Sequence, residues 1–192
     1  MITRCRVNKF KVIFLFLTFL PVLMHTADIE ANDKTGGLFK EIRLGVLLHD
    51  VDGLWSGNSK ESGTDFNAEI VLSFPNLSIF SGTILPNFGL LINDSGNTSN
   101  IYLGFIWDRK IMATFFINLG LGVAAHNGEK ETKSENKKDL GSDILFRIPV
   151  EIGYIFNKHH RLSLFFVHLS NAYLAYPNEG MDDLGFRYSY HF

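Results

Sequence analysis

His168 and Ser170 stand two residues apart near the end of this 192-residue chain, and Asp182 follows twelve residues after the serine. A serine, an imidazole and a carboxylate are the components of a serine hydrolase: the serine attacks, the imidazole takes its proton, and the acid orients the imidazole. In an extended chain, residues i and i+2 project from the same face. A strand through this region therefore carries His168 and Ser170 on one side, after Leu162, Leu164 and Phe166 in the same parity. A strand returning beside it carries Asp182 in parity with Leu184, Phe186, Tyr188, Tyr190 and Phe192, while Asp183 has the opposite parity and turns inward. On residue types and spacing alone two readings stay open. One is a triad; the other is an interfacial histidine with a serine nearby by chance.

The elements that would position these groups follow from the rest of the chain. It is 46% hydrophobic, 14% aromatic and 20% charged, with a mean hydropathy of +0.08. Such a composition excludes a disordered chain, a collagen-like repeat and a disulfide scaffold. With a pI near 6.4 there is no basic footprint for nucleic acid. Arg4, Arg6, Lys9 and Lys11 precede an apolar run from Val12 to Met24, which is short for a membrane helix and of the length of a signal peptide core. We expect residues 1–27 to be an export signal, cut between 27 and 31, with a short N-terminal anchor as the alternative reading. Cys5 lies in this segment, so residues 28–192 hold no cysteine; they carry 14 Lys+Arg against 20 Asp+Glu, a net charge of −6.

No later stretch is apolar for long enough to span a bilayer as a helix. The other spanning structure is a closed antiparallel barrel whose strands alternate lipid-facing and lumen-facing side chains. The pattern predicts eight strands, near 40–50, 63–74, 79–92, 98–107, 111–124, 143–156, 160–171 and 183–192. In the second, Phe66, Ala68, Ile70, Leu72 and Phe74 oppose Asp65, Asn67, Glu69 and Ser73; in the sixth, Ile144, Phe146, Ile148, Val150, Ile152, Tyr154 and Phe156 oppose Asp143, Arg147, Glu151 and Gly153. Period two at this length has no helical explanation. Lumen groups of both signs (Arg43, Glu69, Arg147, Glu151 and Arg187) are placed to pair and fill a barrel this narrow. Tight connections near 75–78, 108–110 and 157–159 alternate with longer ones near 51–62, 93–97, 125–142 and 172–182, as periplasmic turns alternate with external loops. The closing Phe186, Tyr188, Tyr190 and Phe192 resemble the C-terminal signal of bacterial outer-membrane proteins. A soluble sandwich with an aromatic core strand is the alternative.

At the chemistry-bearing residues the chain resembles a known family. His168-Leu169-Ser170-Asn171-Ala172, then Asn178-Glu179-Gly180-Met181-Asp182, then an aromatic closing strand, is similar to the lipid A 3-O-deacylase (PagL) family, also called acyloxyacyl hydrolases. Weaker likeness runs through Gly45 to Asp50, Asp65 to Glu69, and Phe146-Arg147 to Tyr154. The resemblance implies Ser170 as nucleophile, His168 as base and Asp182 as acid, in an enzyme that releases a 3-hydroxy fatty acid from the 3-position of lipid A. Well-known members carry Glu at the acid position, and this chain has Asp, one methylene shorter. The substrate implied is lipid A, or lipopolysaccharide, in the outer leaflet, beside the barrel wall. Asn171, through its side chain or backbone N–H, and the Asn178 amide are the expected oxyanion donors; turn-forming roles are the competing readings of both.

No cofactor is implied. With no cysteine after the signal and no His/carboxylate cluster at ligand spacing, no metal site is expected. His159, His160 and His191 fall at the far end of the barrel, and His49 and His126 read as structural or solvated. The mixed-charge stretch 129–139 reads as a solvated hairpin tip rather than a phosphate-binding loop. Two other functions stay open: a non-catalytic structural or adhesive barrel, and an outer-membrane phospholipase. The sequence leaves a homodimer open.

Overall fold

The computed structural model describes residues 37–73 and 77–192; the expected export signal lies outside them. Nine strands form one antiparallel sheet: β1 (Phe39–Leu48), β2 (Thr64–Leu72), β3 (Leu77–Ile79), β4 (Gly82–Asn93), β5 (Asn100–Lys110), β6 (Phe115–His126), β7 (Ile144–Ile155), β8 (His160–Ser170) and β9 (Met181–His191). β1 pairs with both β2 and β9, and β2 pairs with β4, so eight long strands close into a barrel; β3 is a short flap on β4. Closure leaves no unpaired edge among the long strands, the condition for a sheet in hydrocarbon.

The observed strands lie within a few residues of the expected ones, with two informative differences. The expected strand at 79–92 is interrupted, because Phe80 and Ser81 take positive φ and turn the chain between β3 and β4. The turn expected at 108–110 belongs to β5, and the chain reverses at 111–114 instead. Residues 108–110 are in the strand because they continue the ladder with β6, Asp108 opposite Asn118 and Lys110 opposite Phe116; the Asp108 side chain meets Arg161, 53 residues away, at 3.3 Å.

The alternation sorts by polarity as expected. Leu44, Val46, Phe66, Ile101, Leu103, Phe105, Leu121, Ile144 and Phe186 are exposed on the outer wall. Inside, the Arg43 guanidinium donates to Glu41 (2.8 Å), Glu69 (3.1 Å) and Glu151 (3.1 Å). Arg187 donates to Asn67 (2.8 Å), Glu69 (3.3 Å) and Glu151 (3.4 Å) and lies 3.4 Å over the Phe165 ring. Arg147 stacks on Tyr102 and pairs with Glu69 at 3.5 Å. Buried charges at these positions are tolerable because each carboxylate has a cationic partner, and Glu69 and Glu151 also accept from the Asn87 and Asn118 amides. Apolar layers fill the lumen on either side, with Val71, Leu85 and Ile106 in one cluster and Leu140, Leu145, Leu169 and Met181 in another.

The long loops gather at one end. The 129–139 stretch is not simply a solvated tip, since Lys138 is buried, pairs with Asp50 at 3.1 Å and donates to the Asn58 carbonyl. Lys137 reaches Asn97 at 2.7 Å, which folds this loop over the barrel mouth.

Candidate active site

The ends of β8 and β9 at the long-loop side place His168 and Asp182 directly opposite each other in the ladder. Directly opposed side chains on one face have Cβ atoms about 4.5–5.5 Å apart, a gap that imidazole and a short carboxylate together span. His168 Nδ1 lies 2.6 Å from Asp182 Oδ1. The aspartate is therefore long enough at this register, and no backbone adjustment is needed. This contact favours the tautomer that donates from Nδ1 and leaves the lone pair on Nε2.

Both groups have the parity of the apolar outer wall, yet His168 is only 5% exposed and Asp182 is fully buried. The cover is the β1–β2 loop, residues 49–63, which works as a strap. The Trp55 ring stacks on the imidazole with centroids 4.5 Å apart and planes 12° from parallel. The Ser56 N–H donates to Asp182 Oδ2 at 2.5 Å, and the Val51 N–H donates to the Asp182 carbonyl at 2.6 Å. Gly180, at φ +70°, packs closely against the imidazole: a Cβ there would sit 3.2 Å from His168 Cε1. Sequence reasoning missed Trp55 and Ser56. The available signal was an aromatic residue in a polar, glycine-containing loop after a barrel strand.

Ser170 ends β8, half-buried, two residues beyond His168 on the same face. Among the described residues no hydrogen bond joins its hydroxyl to His168. Asn171 and Asn178, expected as oxyanion donors, are hydrogen-bonded to each other through the Asn171 N–H and the Asn178 side-chain oxygen. The Asn171 N–H donates to Asn178 Oδ1 at 2.9 Å, and Asn171 Nδ2 donates to the carbonyls of Leu140 and Pro177, both at 2.9 Å. The donors of Asn171 are thus engaged in bracing the 171–180 loop. Asn178 is half-buried, with its Oδ1 on Asn171.

The strap is anchored inside the barrel mouth. His49 Nδ1 lies 2.8 Å from Asp65 and Nε2 lies 3.1 Å from Glu61. Burial would lower the His49 pKa, but the bonds to Asp65 and Glu61 outweigh it and raise the value to about 10. Asp50 Oδ2 accepts from the N–H groups of Lys60 and Glu61 at 2.6 and 2.9 Å. Lys60 reaches Glu179 at 2.7 Å, tying the strap to the loop before β9. His126 is structural, its Nε2 lying 2.7 Å from the Ser142 carbonyl. His159 and His160 lie at the opposite end beside Tyr190 and Tyr188. The expectation of no His/carboxylate cluster is corrected: the fold brings His49, Asp65 and Asp183 together from three strand ends that sequence spacing keeps apart.

Two solved structures are similar to this chain. The crystal structure of the outer membrane enzyme PagL superposes with a TM-score of 0.54 at 19% identity, over 79% of this chain and 97% of that one. The Yersinia pestis outer membrane protein Ail, in a phospholipid bilayer nanodisc, gives a TM-score of 0.49 at 8% identity, over 81% and 100%. No curated protein matches the chain. The sequence profile described as lipid A 3-O-deacylase (PagL) matches residues 86–191, more than half of the chain and the whole segment holding His168, Ser170 and Asp182. The chain belongs to the lipid A 3-O-deacylase (PagL) family, as a β-barrel of the outer membrane.

Proposed function

We propose that this protein is a serine esterase that hydrolyses the 3-O-linked acyl chain of lipid A and releases a 3-hydroxy fatty acid. The observation that carries the reading is the His168–Asp182 pair, 2.6 Å apart, on the lipid-facing parity at the external end of the barrel. A polar pair on that face is costly unless it is used or covered, and here Trp55 and Ser56 of the strap cover it. Lipid A in the outer leaflet presents its acyl esters at the same level, against the wall rather than in the filled lumen.

Ser170 is the nucleophile in this reading. Its hydroxyl attacks the ester carbonyl as His168 Nε2 takes the proton, and the carboxylate of Asp182 stabilises the resulting imidazolium. Collapse of the tetrahedral intermediate breaks the ester C–O bond, and the imidazolium returns its proton to the departing sugar hydroxyl. Water, activated by the same imidazole, then hydrolyses the acyl-serine. Asn178 Nδ2 is the side-chain amide available to the oxyanion, since the donors of Asn171 are engaged.

The test is mass spectrometry of lipid A from outer membranes carrying the wild type or Ser170→Ala. Wild type alone should shift lipid A down by one 3-hydroxyacyl group. Unchanged lipid A with both proteins overturns the proposal, and Ser170-dependent loss of phospholipid acyl chains redirects it to a phospholipase.

A further inference from the structure

Behind the outer-face pair, on the lumen side of the same strand ends, lies a second constellation. β1 is flanked by β2 and β9, with Leu48 opposite Thr64 on one side and Leu184 on the other. The residues next to these positions are His49, Asp65 and Asp183, and all three turn inward and are buried. One potential ligand atom from each lies within 4.8 Å of the others. His49 Nδ1 is 2.8 Å from Asp65 Oδ2 and 3.6 Å from Asp183 Oδ1.

The surroundings fix what each group presents. His49 Nε2 lies 3.1 Å from Glu61 Oε2, so Glu61 accepts the Nε2–H. Glu61 is itself locked, accepting from the N–H of Thr98 at 2.8 Å and of Lys138 at 3.2 Å. Asp65 Oδ1 accepts from Asn93 at 2.8 Å, and Asp183 Oδ1 accepts from the Asp50 N–H at 3.0 Å. Asp183 Oδ2 is fully buried and has no hydrogen-bond partner among the described residues. With Nε2–H given to Glu61, the Nδ1 position faces two carboxylates, an arrangement that requires a positive occupant there, either a proton or a metal ion. A proton on Nδ1 satisfies Asp65 and leaves Asp183 Oδ2 orphaned. A cation in place of that proton would be ligated by His49 Nδ1, Asp65 Oδ2 and one carboxylate oxygen of Asp183.

The geometry fits a small divalent ion. Ligands about 2.0–2.1 Å from a tetrahedral metal stand roughly 3.3 Å apart, and the observed separations of 2.8 and 3.6 Å bracket that edge. A carboxylate behind the imidazole is the usual outer partner of a metal-bound histidine. One imidazole nitrogen and two carboxylate oxygens favour zinc-class ions over magnesium or calcium, which take oxygen alone.

We propose that His49, Asp65 and Asp183 form a buried site for one zinc-class divalent cation, with Glu61 orienting the imidazole. The ion ties β1, β2 and β9 together where the strap begins, one residue from Asp182. Its role is structural, and it does not depend on the assignment of Ser170.

The test uses the full-length barrel, untagged, in detergent, stripped with chelator and titrated with Co²⁺ and then Zn²⁺. One Co²⁺ per chain should bind with visible d–d absorption, be displaced by Zn²⁺, and raise the thermal midpoint. Asp183→Asn and Asp65→Asn should abolish the spectrum. Glu61→Gln keeps all three ligands and should weaken affinity about 10–100-fold; heat-dependent gel mobility confirms that each variant is folded. Absence of binding to folded wild type at 1 mM metal, or equal binding in folded Asp183→Asn, overturns the proposal. So does a ¹⁵N spectrum in which His49 keeps both N–H protons at saturating metal, since the occupant is then a proton.

Discussion

His168 and Asp182 are direct cross-strand partners whose side chains meet at 2.6 Å, with the second aspartate oxygen taken by the Ser56 N–H at 2.5 Å. Both carboxylate oxygens are thus spent before any substrate arrives. Asp182→Asn should lower the deacylation rate by about 10²–10⁴, because an amide nitrogen facing Nδ1 disfavours the working tautomer. Asp182→Glu keeps a carboxylate but overshoots both partners by a methylene, and should lose less, about tenfold. Turnover of lipid A in mixed micelles, with barrel folding checked by gel mobility, measures both; an unaltered rate in Asp182→Asn removes this residue from the reaction.

Trp55 stacks on the imidazole at 4.5 Å, a contact of about 0.5–1.5 kcal/mol. Trp55→Ala should lower kcat roughly tenfold by releasing the ring orientation, and Trp55→Phe should recover most of it. A change confined to KM would instead assign Trp55 to substrate contact.

Asn178→Asp separates the two readings of this residue. It keeps the oxygen that accepts the Asn171 N–H and removes the Nδ2 donor. A fall in kcat of about 10²–10³ with an intact fold is the outcome expected for an oxyanion donor. Asn171→Ala, by contrast, strands the Leu140 and Pro177 carbonyls and should act on loop stability, read by protease sensitivity of the 171–180 segment.

Arg43→Ala removes the cation shared by Glu41, Glu69 and Glu151, all nearly fully buried. Arg187 still serves Glu69 and Glu151, but Glu41 keeps only Arg161 at 4.0 Å, and the loss of this buried partner should cost about 3–5 kcal/mol, read as a lower denaturant midpoint. Lys130→Ala, at an exposed pair with Asp143, should leave the midpoint where it is.

Lys60 ties the strap to Glu179 at 2.7 Å and Asp139 at 3.5 Å. The hydrogen bond to Glu179 is the largest cause of its raised pKa. Because the value in the folded protein lies above that of a free lysine, the tie is fully present below about pH 10.4 and is lost as pH rises through the raised value. Lys60→Met should therefore change Trp55 fluorescence at neutral pH to what the wild type reaches only in alkali.

The barrel, its lumen and the facing of the site were legible locally. A two-residue period tells Phe66 from Glu69 and His168 from Val167 without knowledge of any partner strand, because a pleated chain alternates whatever it pairs with. Family likeness at His168-Leu169-Ser170-Asn171-Ala172 added the chemistry. What no period could supply was the path of the loops and the register between strands. Those place Trp55 over His168, spend the amide of Asn171 within its own loop, pair Asp108 with Arg161, and bring His49, Asp65 and Asp183 to one point. Each is a contact between residues dozens of positions apart, set when the barrel closes and buried charges find their partners, so only the tertiary structure decides it.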